Sequence, residues 1–278
     1  MIDQTEKTQT LIRAVMILDC FTQDRPELGV REVARMVDLS SSSTGRIMAG
    51  MKDLGILSQN PSTRMYSVGP RVLTWAGVYL ATSDLRNVAY PYLEELHNST
   101  RETISLYILD GNERVCIERL ESTQNVRFVA PRIGRHLPLH AGSAGKVMMA
   151  FLTEKRREEL LTSGSLVQLT EKTIVTPEVL RTELDRIRID GYAISNGEWI
   201  LDASGIAAPI FDRFGEVLAA LTISGPTQRF TQDVFPGYIQ AAVRVAQQIS
   251  AGLGFREASH ANLRGEFPQS DVVMVQRG

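Results

Sequence analysis

The sequence predicts an α+β protein with an N-terminal winged helix-turn-helix, a linker helix and a C-terminal antiparallel sheet flanked by helices. Three observations carry this prediction. Three short helical patterns and then a strand–turn–strand pattern occupy the first 69 residues. Apolar and polar residues alternate along residues 102–134, as they do in β-strands. Helical patterns precede, interrupt and follow the strands, which is the order expected of a sheet covered by helices.

The composition is that of an ordinary globular chain. The 278 residues include 43% hydrophobic and 22% charged side chains, and the net charge is −2. At about 100–200 residues per domain, this length favours two domains. No apolar run approaches the roughly 18 residues of a membrane span, and the N-terminus lacks a secretion signal, so we expect a cytoplasmic protein with no membrane partner. Cys20 and Cys116 have no ligand spacing and are expected to be buried free thiols.

The first predicted domain, residues 1–69, begins with three helices. Apolar residues recur at steps of three and four from Lys7 to Phe21 and from Val30 to Val37. In the first helix, the expected buried stripe is Leu11, Ala14, Val15, Leu18 and Phe21. Ser40 is placed to cap the third helix, and Gly55 is placed to end it. The expected buried face of the third helix is Ile47, Met51 and Leu54.

A hairpin completes the winged-helix pattern, because short extended runs at 56–58 and 65–68 flank the turn Asn60-Pro61-Ser62. The residues expected to contact DNA are Ser40, Ser41, Ser42, Ser43, Thr44, Arg46 and Arg64. Hydroxyl groups at a helix N-terminus suit phosphate oxygens, Arg46 has the reach for a base edge, and Arg64 at the wing tip suits the minor groove. The alternative is a small helical bundle with a solvated, serine-rich helix start. The net charge of +1 over residues 1–80, against −3 for the rest, does not decide between them.

Residues 70–83 predict a linker helix that is too apolar to remain free. We expect it to pack across a dimer partner or against the larger domain. A second helix is predicted from the Thr82-Ser83-Asp84 step to about Thr100.

The second predicted domain, residues 84–254, contains the antiparallel sheet. The expected strands are 102–110, 113–121, 126–134, 192–196, 204–211 and 216–224, and Gly111-Asn112 is the first hairpin turn. The expected helices lie at HAGSAGKVMMAFL, at 177–190 and at 231–254. Residues 255–278 are polar and aperiodic and are expected to form a tail.

No motif in this domain predicts a metal or a cofactor. Gly145-Lys146 resembles the end of a phosphate-binding loop, but the preceding glycine and the following hydroxyl residue are missing. Pro138 disfavours the helix that would align His136 with His140 as metal ligands. Ser143 is not in a hydrolase elbow. Two other classes remain as alternatives: an enzyme that acts on a small acid with Ser143 and His140, and a protein-interaction module.

The segment from Leu139 to Lys146 is more typical of a binding loop. Residues 141–145 are all small and lead into a helix, so a carboxylate has access to free N–H groups at the positive end of the helix dipole. Tight packing of the helix on the sheet explains the small residues equally well. Polar residues at or near strand ends are expected to add contacts: Ser195, Asn196, Thr222 and Ser224.

Five segments in order resemble the IclR family of bacterial transcriptional regulators over about residues 8–254. They are TLIRAVMILDCF, GVREVARMVDLSSSSTGRIMAGM, the wing into YSVGP, PLHAGSAGKVMMAFL, and GYAISNGEW with SGIAAPIFDRFGEVLAALTISGP. The resemblance implies a reader of double-stranded operator DNA, a linker helix and a GAF-like domain that binds a small organic acid. It also implies a homodimer or a dimer of dimers and no catalysis or cofactor, and a repressor is favoured over an activator.

The resemblance also implies an effector pocket. It places Ser143, Ala144, Asn196, Gly205, Thr222 and Ser224 in that pocket. The binding loop and the strand ends add Gly142, Gly145 and Ser195, while Phe128 and Leu137 are expected to close the site and Trp199 to face the ligand. Asn196 and Gly205 stand where several members have Asp and Cys, which removes a charge and makes room. We therefore expect an acid larger than the smallest keto acids, with Trp199 stacked on a ring.

Overall fold

The structure is a computed structural model that describes residues 4–22, 24–82, 84–125, 132–164 and 166–256. The chain divides between Ser83 and Asp84 into two compact units. Each unit has its own hydrophobic core. The N-terminal unit is mainly helical and the C-terminal unit is built on a sheet, so the predicted α+β class is confirmed.

The N-terminal unit has the element order of a winged helix. Its elements are α1 (Gln4–Asp19), α2 (Val30–Met36), α3 (Ser41–Asp53), β1 (Leu57–Gln59), β2 (Tyr66–Val68) and α4 (Arg71–Thr82). β1 and β2 form an antiparallel hairpin. Leu28 exchanges two backbone hydrogen bonds of 2.9 Å with Tyr66, which ties the segment before α2 to the wing.

The buried face of α1 agrees with the predicted stripe in part, because Ala14, Leu18 and Phe21 pack against the core. Ile17 is fully buried and Cys20 is 6% exposed, whereas Leu11 and Val15 are 70% and 57% exposed. Apolar residues lie on both sides of this helix, and only one side packs within the unit. The helical period therefore identified the helix and only part of the side that enters the core.

The start of α4 is attached to the end of α3. The Arg71 side chain donates a 2.9 Å hydrogen bond to the carbonyl of Leu54, and its backbone N–H reaches the carbonyl of Gly55. The N–H of Gly69 donates to Ile56 at 2.7 Å. A Cβ atom at Gly69 would collide with the Gly55 carbonyl, so the two segments approach as closely as glycine allows.

The C-terminal unit is a six-stranded antiparallel sheet with helices on both faces. The helices are α5 (Asp84–Thr100), α6 (Ser143–Phe151), α7 (Glu154–Thr162), α8 (Pro177–Asp190) and α9 (Phe235–Gly252). The strands are β3 (Thr103–Asp110), β4 (Glu113–Leu120), β5 (His136–Pro138), β6 (Ala193–Asn196), β7 (Ala203–Phe211) and β8 (Val217–Pro226). Their order across the sheet is β5-β4-β3-β8-β7-β6.

Two cores lie on opposite faces of this sheet. The first core joins α6 and α8 to side chains such as Cys116, Ala207 and Ala220. The second joins α5 and α9 to side chains such as Ile206 and Leu221. Residues of one strand therefore alternate between the α6 face and the α5/α9 face.

Several elements differ from the sequence-based expectation. β5 and α7 were not predicted, and α9 begins at Phe235 instead of Thr231. β5 has three residues, includes Pro138 and pairs on one side only, and proline is tolerated at such a sheet edge. α7 is mostly charged, and its buried positions include only two leucines, so its apolar period is weak. Most of the strand expected at 126–134 lies outside the described residues.

In the described ranges, no helix is both long enough and apolar enough to cross a membrane. Cys20 and Cys116 are buried and free, as predicted.

Candidate functional site

Both ends of α3 have the predicted caps. The Ser40 hydroxyl oxygen accepts a 3.2 Å hydrogen bond from the Ser43 N–H, which satisfies one N–H of the first turn. At the other end Gly55 has a φ of +73°, and the Ile56 N–H donates to the Met51 carbonyl at 2.9 Å. This is the hydrogen bond of a Schellman motif, which ends a helix.

The buried face of α3 corrects two expectations. Thr44, Met48 and Met51 are at most 5% exposed, whereas Leu54 is 56% exposed and Ile47 is only partly buried. Thr44 therefore lies in the core and does not face DNA, contrary to the sequence-based prediction. The two candidate stripes have the same spacing and share Met51, and a polar threonine gave no reason to prefer the correct one.

The exposed surface of α3 retains the other predicted DNA contacts. Ser40, Ser41, Ser42 and Arg46 are exposed, and Ser43 is half-buried. The first-turn N–H groups of Ser41 and Ser42 have no partner within the helix. Three hydroxyl groups, a helix N-terminus and one arginine thus form a surface that can bind phosphates and reach a base edge.

The wing tip is held in a fixed turn. The Asn60 side chain accepts hydrogen bonds from the N–H groups of Ser62 and Thr63 at 2.9 and 3.2 Å. Arg64 follows in the left-handed region with φ of +63° and is exposed. The wing therefore presents one cation on a short, rigid turn.

A cleft lies between the start of α6 and the α6 face of the sheet. Most of the predicted effector residues line it: Gly142, Ser143, Ala144, Ser195, Trp199, Gly205, Thr222 and Ser224. The lining residues not predicted are Tyr107, Arg114, Ile200, Ala203 and Ser204. The water-accessible volume of the cleft is about 60 Å³.

Other predicted effector residues lie elsewhere. Asn196 follows Ser195 in β6, so it is on the opposite face and accepts a hydrogen bond from Ser204. Leu137 packs in the core of the α6 face. A Cβ atom at Gly145 would collide with Arg114 and with the Leu139 carbonyl. Gly145 therefore permits tight packing and does not line the cleft. Phe128 lies outside the described residues.

Gly205 does leave space, as predicted from its position. A Cβ atom there would lie 3.0 Å from the Ser143 hydroxyl oxygen. A larger side chain at position 205 would therefore press on Ser143 and narrow the cleft.

A buried ion-pair cluster holds the loop before α6. Lys146 is 1% exposed, and its Nζ lies 2.5 Å from Glu198 Oε1 and 3.1 Å from Glu183 Oε1. The other oxygen of Glu198 accepts a 3.1 Å hydrogen bond from the Gly142 N–H. Glu183 also pairs with Arg186 at 3.0 Å. Burial raises the pKa of Glu183, but Lys146 and Arg186 outweigh it, so the pKa is below its usual range.

Arg114 is the cation that sequence reasoning missed. It is 3% exposed, donates to the Pro138 carbonyl, and stacks on the Tyr107 ring with the guanidinium carbon 5.6 Å from the ring centre. Burial lowers the pKa of Arg114 to about 10, so the group stays charged at neutral pH. The sequence did offer one signal. Side chains two positions apart on a strand lie on the same face of the sheet, and Arg114 is two residues from the buried Cys116.

Ser143 and His140 do not form a catalytic pair. His140 Nε2 lies 2.8 Å from the Val167 carbonyl, so this nitrogen donates there, and burial lowers the pKa of the ring. Ser143 lines the cleft, whereas His140 lines a separate cavity with Leu160 and Val167. No hydrogen bond joins the two side chains, both of which the structure describes.

A winged helix joined to a ligand-sized cleft defines a ligand-responsive transcriptional regulator as the class of protein. Two family models match: the IclR helix-turn-helix domain at residues 10–61, and the bacterial transcriptional regulator IclR C-terminal domain at residues 77–251. The chain therefore belongs to the IclR family. Its members are transcriptional regulators, so the enzyme reading is set aside, and the predicted family and general function are confirmed.

Individual relatives are similar over nearly the whole chain. The regulator KdgR of Escherichia coli strain K12 is 33% identical, with 91% of this chain and 96% of KdgR covered. The repressor AllR of the same strain is 31% identical, with 89% and 91% covered. The crystal structure of an IclR homologue from Microbacterium hydrocarbonoxydans, complexed with 4-hydroxybenzoate, is 30% identical with a TM-score of 0.76, and 88% of this chain and 98% of that one are covered.

Proposed function

We propose that this chain is a cytoplasmic repressor whose binding to double-stranded operator DNA is altered by a small organic acid in the cleft. The observation that carries the proposal is the composition of that cleft. It combines the start of a helix, a buried cation and serine and threonine hydroxyls with the aromatic Tyr107 and Trp199. The helix start, the cation and the hydroxyls suit the anionic and hydrogen-bonding groups of a ligand. The two aromatic side chains suit a ring or a short apolar body.

In this proposal the DNA reader is residues 1–69, residues 70–83 are the linker helix, and residues 84–254 bind effector and mediate assembly. Residues 255–278 form the C-terminal tail in this division of the chain. The assembly is a homodimer or a dimer of dimers. Leu73 and Trp75 on α4 are 74% and 49% exposed, and a second copy of the chain would bury such apolar side chains.

The effector is an acid of modest size. A cleft of about 60 Å³ favours a small acid, and an acid with a ring would need Trp199 and Ile200 to move outward. Ile200 is exposed, whereas Trp199 would have to leave contacts with the core and with Arg135. That the related Microbacterium structure contains 4-hydroxybenzoate supports an aromatic acid as one candidate.

A DNA-binding titration tests the proposal. The intact protein is titrated onto labelled DNA from upstream of its own gene, at several salt concentrations, with and without acids that include 4-hydroxybenzoate and pyruvate. We expect a specific complex, a steep loss of affinity with salt, and a shift in affinity with at least one acid. Unaltered DNA affinity with every acid would refute the effector part.

Arg46→Ala provides the matched test of the reader. Loss of a base contact is expected to weaken specific binding by about 5- to 150-fold, corresponding to about 1–3 kcal/mol. Lys52→Ala removes one charge from the last turn of the same helix and is the control, with an effect of about threefold or less. Acid binding should persist in both variants. Equal loss of DNA binding in both would mean that charge, and not the position of Arg46, determines affinity.

A further inference from the structure

We propose that Arg114 binds the carboxylate of the effector. This inference rests on the proposed function, because it assigns one residue to the acid group of the ligand. Arg114 lines the cleft and is 3% exposed. Its Nε atom is buried and has no hydrogen-bond partner among the described residues.

Among the described residues, the guanidinium has no carboxylate in direct contact, although Glu198 acts on it from a greater distance and raises its pKa. Its contacts are the Pro138 carbonyl and the Tyr107 ring, and no carboxylate in the described part of the chain lies within 4 Å of it. Glu198 is engaged by Lys146 and by the Gly142 N–H. An unpaired buried charge is costly, and an incoming anion would remove that cost.

The start of α6 makes room for the guanidinium. A Cβ atom at Gly142 would lie 3.1 Å from Nη2 of Arg114, and one at Gly145 would collide with Nη1. The first turn of α6 supplies further N–H groups beside Ser143 and Ala144, which line the same cleft. An anion in the cleft would therefore meet both the arginine and the positive end of the helix dipole.

A purely structural role is the competing explanation, since Arg114 links β4 to Pro138 of β5. The two roles differ in ligand preference. An arginine that binds carboxylate makes the protein prefer an acid over the amide of the same shape. A structural arginine affects acid and amide alike.

The test compares acids with matched amides on the intact protein by calorimetry. The pairs are 4-hydroxybenzoate with 4-hydroxybenzamide, benzoate with benzamide, and pyruvate with pyruvamide. For at least one pair we expect the wild type to bind the acid at least about 30-fold more tightly, which is about 2 kcal/mol. Arg114→Gln should remove that preference and leave amide affinity within about threefold. Arg132→Gln removes an exposed charge from the same unit and should keep the preference.

Each other outcome overturns the proposal in a distinct way. If Arg114→Gln binds the acid as the wild type does, Arg114 is not the carboxylate ligand, and the proposed acid effector stands. If the wild type binds no acid of the set in preference to its amide, the proposal and the acid effector both fail. Should Arg114→Gln unfold, Arg114→Lys decides, because it keeps the charge: retained acid preference with weakened affinity supports the proposal, and equal binding of acid and amide overturns it.

Discussion

Replacing Lys146 by Met should strongly destabilise the C-terminal unit, because it leaves the buried Glu198 without its direct ion-pair partner. The Glu198 side chain is 10% exposed and would retain only the hydrogen bond from Gly142. Glu183 would keep its pair with Arg186. Breaking a buried pair from one side costs about 3–5 kcal/mol. Glu198→Gln should cost less, about 1–3 kcal/mol, because Lys146 would keep Glu183 at 3.1 Å and the Ile194 carbonyl at 2.8 Å.

Urea unfolding followed by Trp199 fluorescence measures the effect. The chain has two tryptophans, so a Trp75→Phe background makes Trp199 the sole reporter. The control is Lys155→Met, the same substitution at a side chain that is 88% exposed and 4.0 Å from Glu159. Its cost should be below about 1 kcal/mol. The double variant Lys146→Met with Glu198→Gln should recover most of the loss, since no buried charge would remain unpaired between them. Equal costs for Lys146→Met and Lys155→Met would refute the reasoning.

Two further predictions concern buried polar groups. Thr44→Val should raise the stability of the N-terminal unit by about 1 kcal/mol, because the Thr44 hydroxyl is buried without a hydrogen-bond partner in the described residues, and it should leave DNA affinity unchanged. Thermal unfolding and the DNA titration measure both effects, and weaker DNA binding would contradict the corrected position of Thr44. His140→Gln should reduce the loss of C-terminal stability as the pH falls below about 6.5. Burial lowers the pKa of His140 in the fold, so the unfolded chain binds a proton first as the pH falls below about 6.5, and the stability present above that pH is lost. Urea midpoints at pH 7.5 and 5.5 test this, and an identical pH dependence in both proteins would contradict it.

Local chemistry explains the parts of the fold that the sequence predicted well. The Ser40 hydroxyl suits a helix start and Gly55 suits the left-handed residue at a helix end, and Gly111 with Asn112 marks a hairpin in the same way. The alternation of apolar and polar residues along the sequence predicted the main strands. These signals need no knowledge of the rest of the chain.

The errors arise where tertiary packing decides. α1 and α3 each offer two helical stripes of similar quality, and the choice between them depends on which neighbours are present. In β6, Ser195 and Asn196 are both polar, and only the position of α6 over the sheet places one in the cleft and the other on the far side. The sequence around Gly145 indicates space for a ligand, but Arg114 occupies the space beside it. Arg114 lies on a strand 31 positions earlier in the chain, so the local sequence gives no sign of this contact.

If α4 is the linker helix, as proposed, its attachment to α3 would make the DNA reader turn together with α4. The hydrogen bonds that Gly69 and Arg71 donate to the carbonyls of residues 54–56 hold the start of α4 against the end of α3. α4 has 12 residues and is about 18 Å long, so a tilt of about 10° imposed at its far end displaces the reader by about 3 Å, close to the ~3.4 Å spacing of successive base pairs. In the proposed regulator, a small change in the angle of α4 would therefore be enough to move the recognition surface out of register with its DNA site.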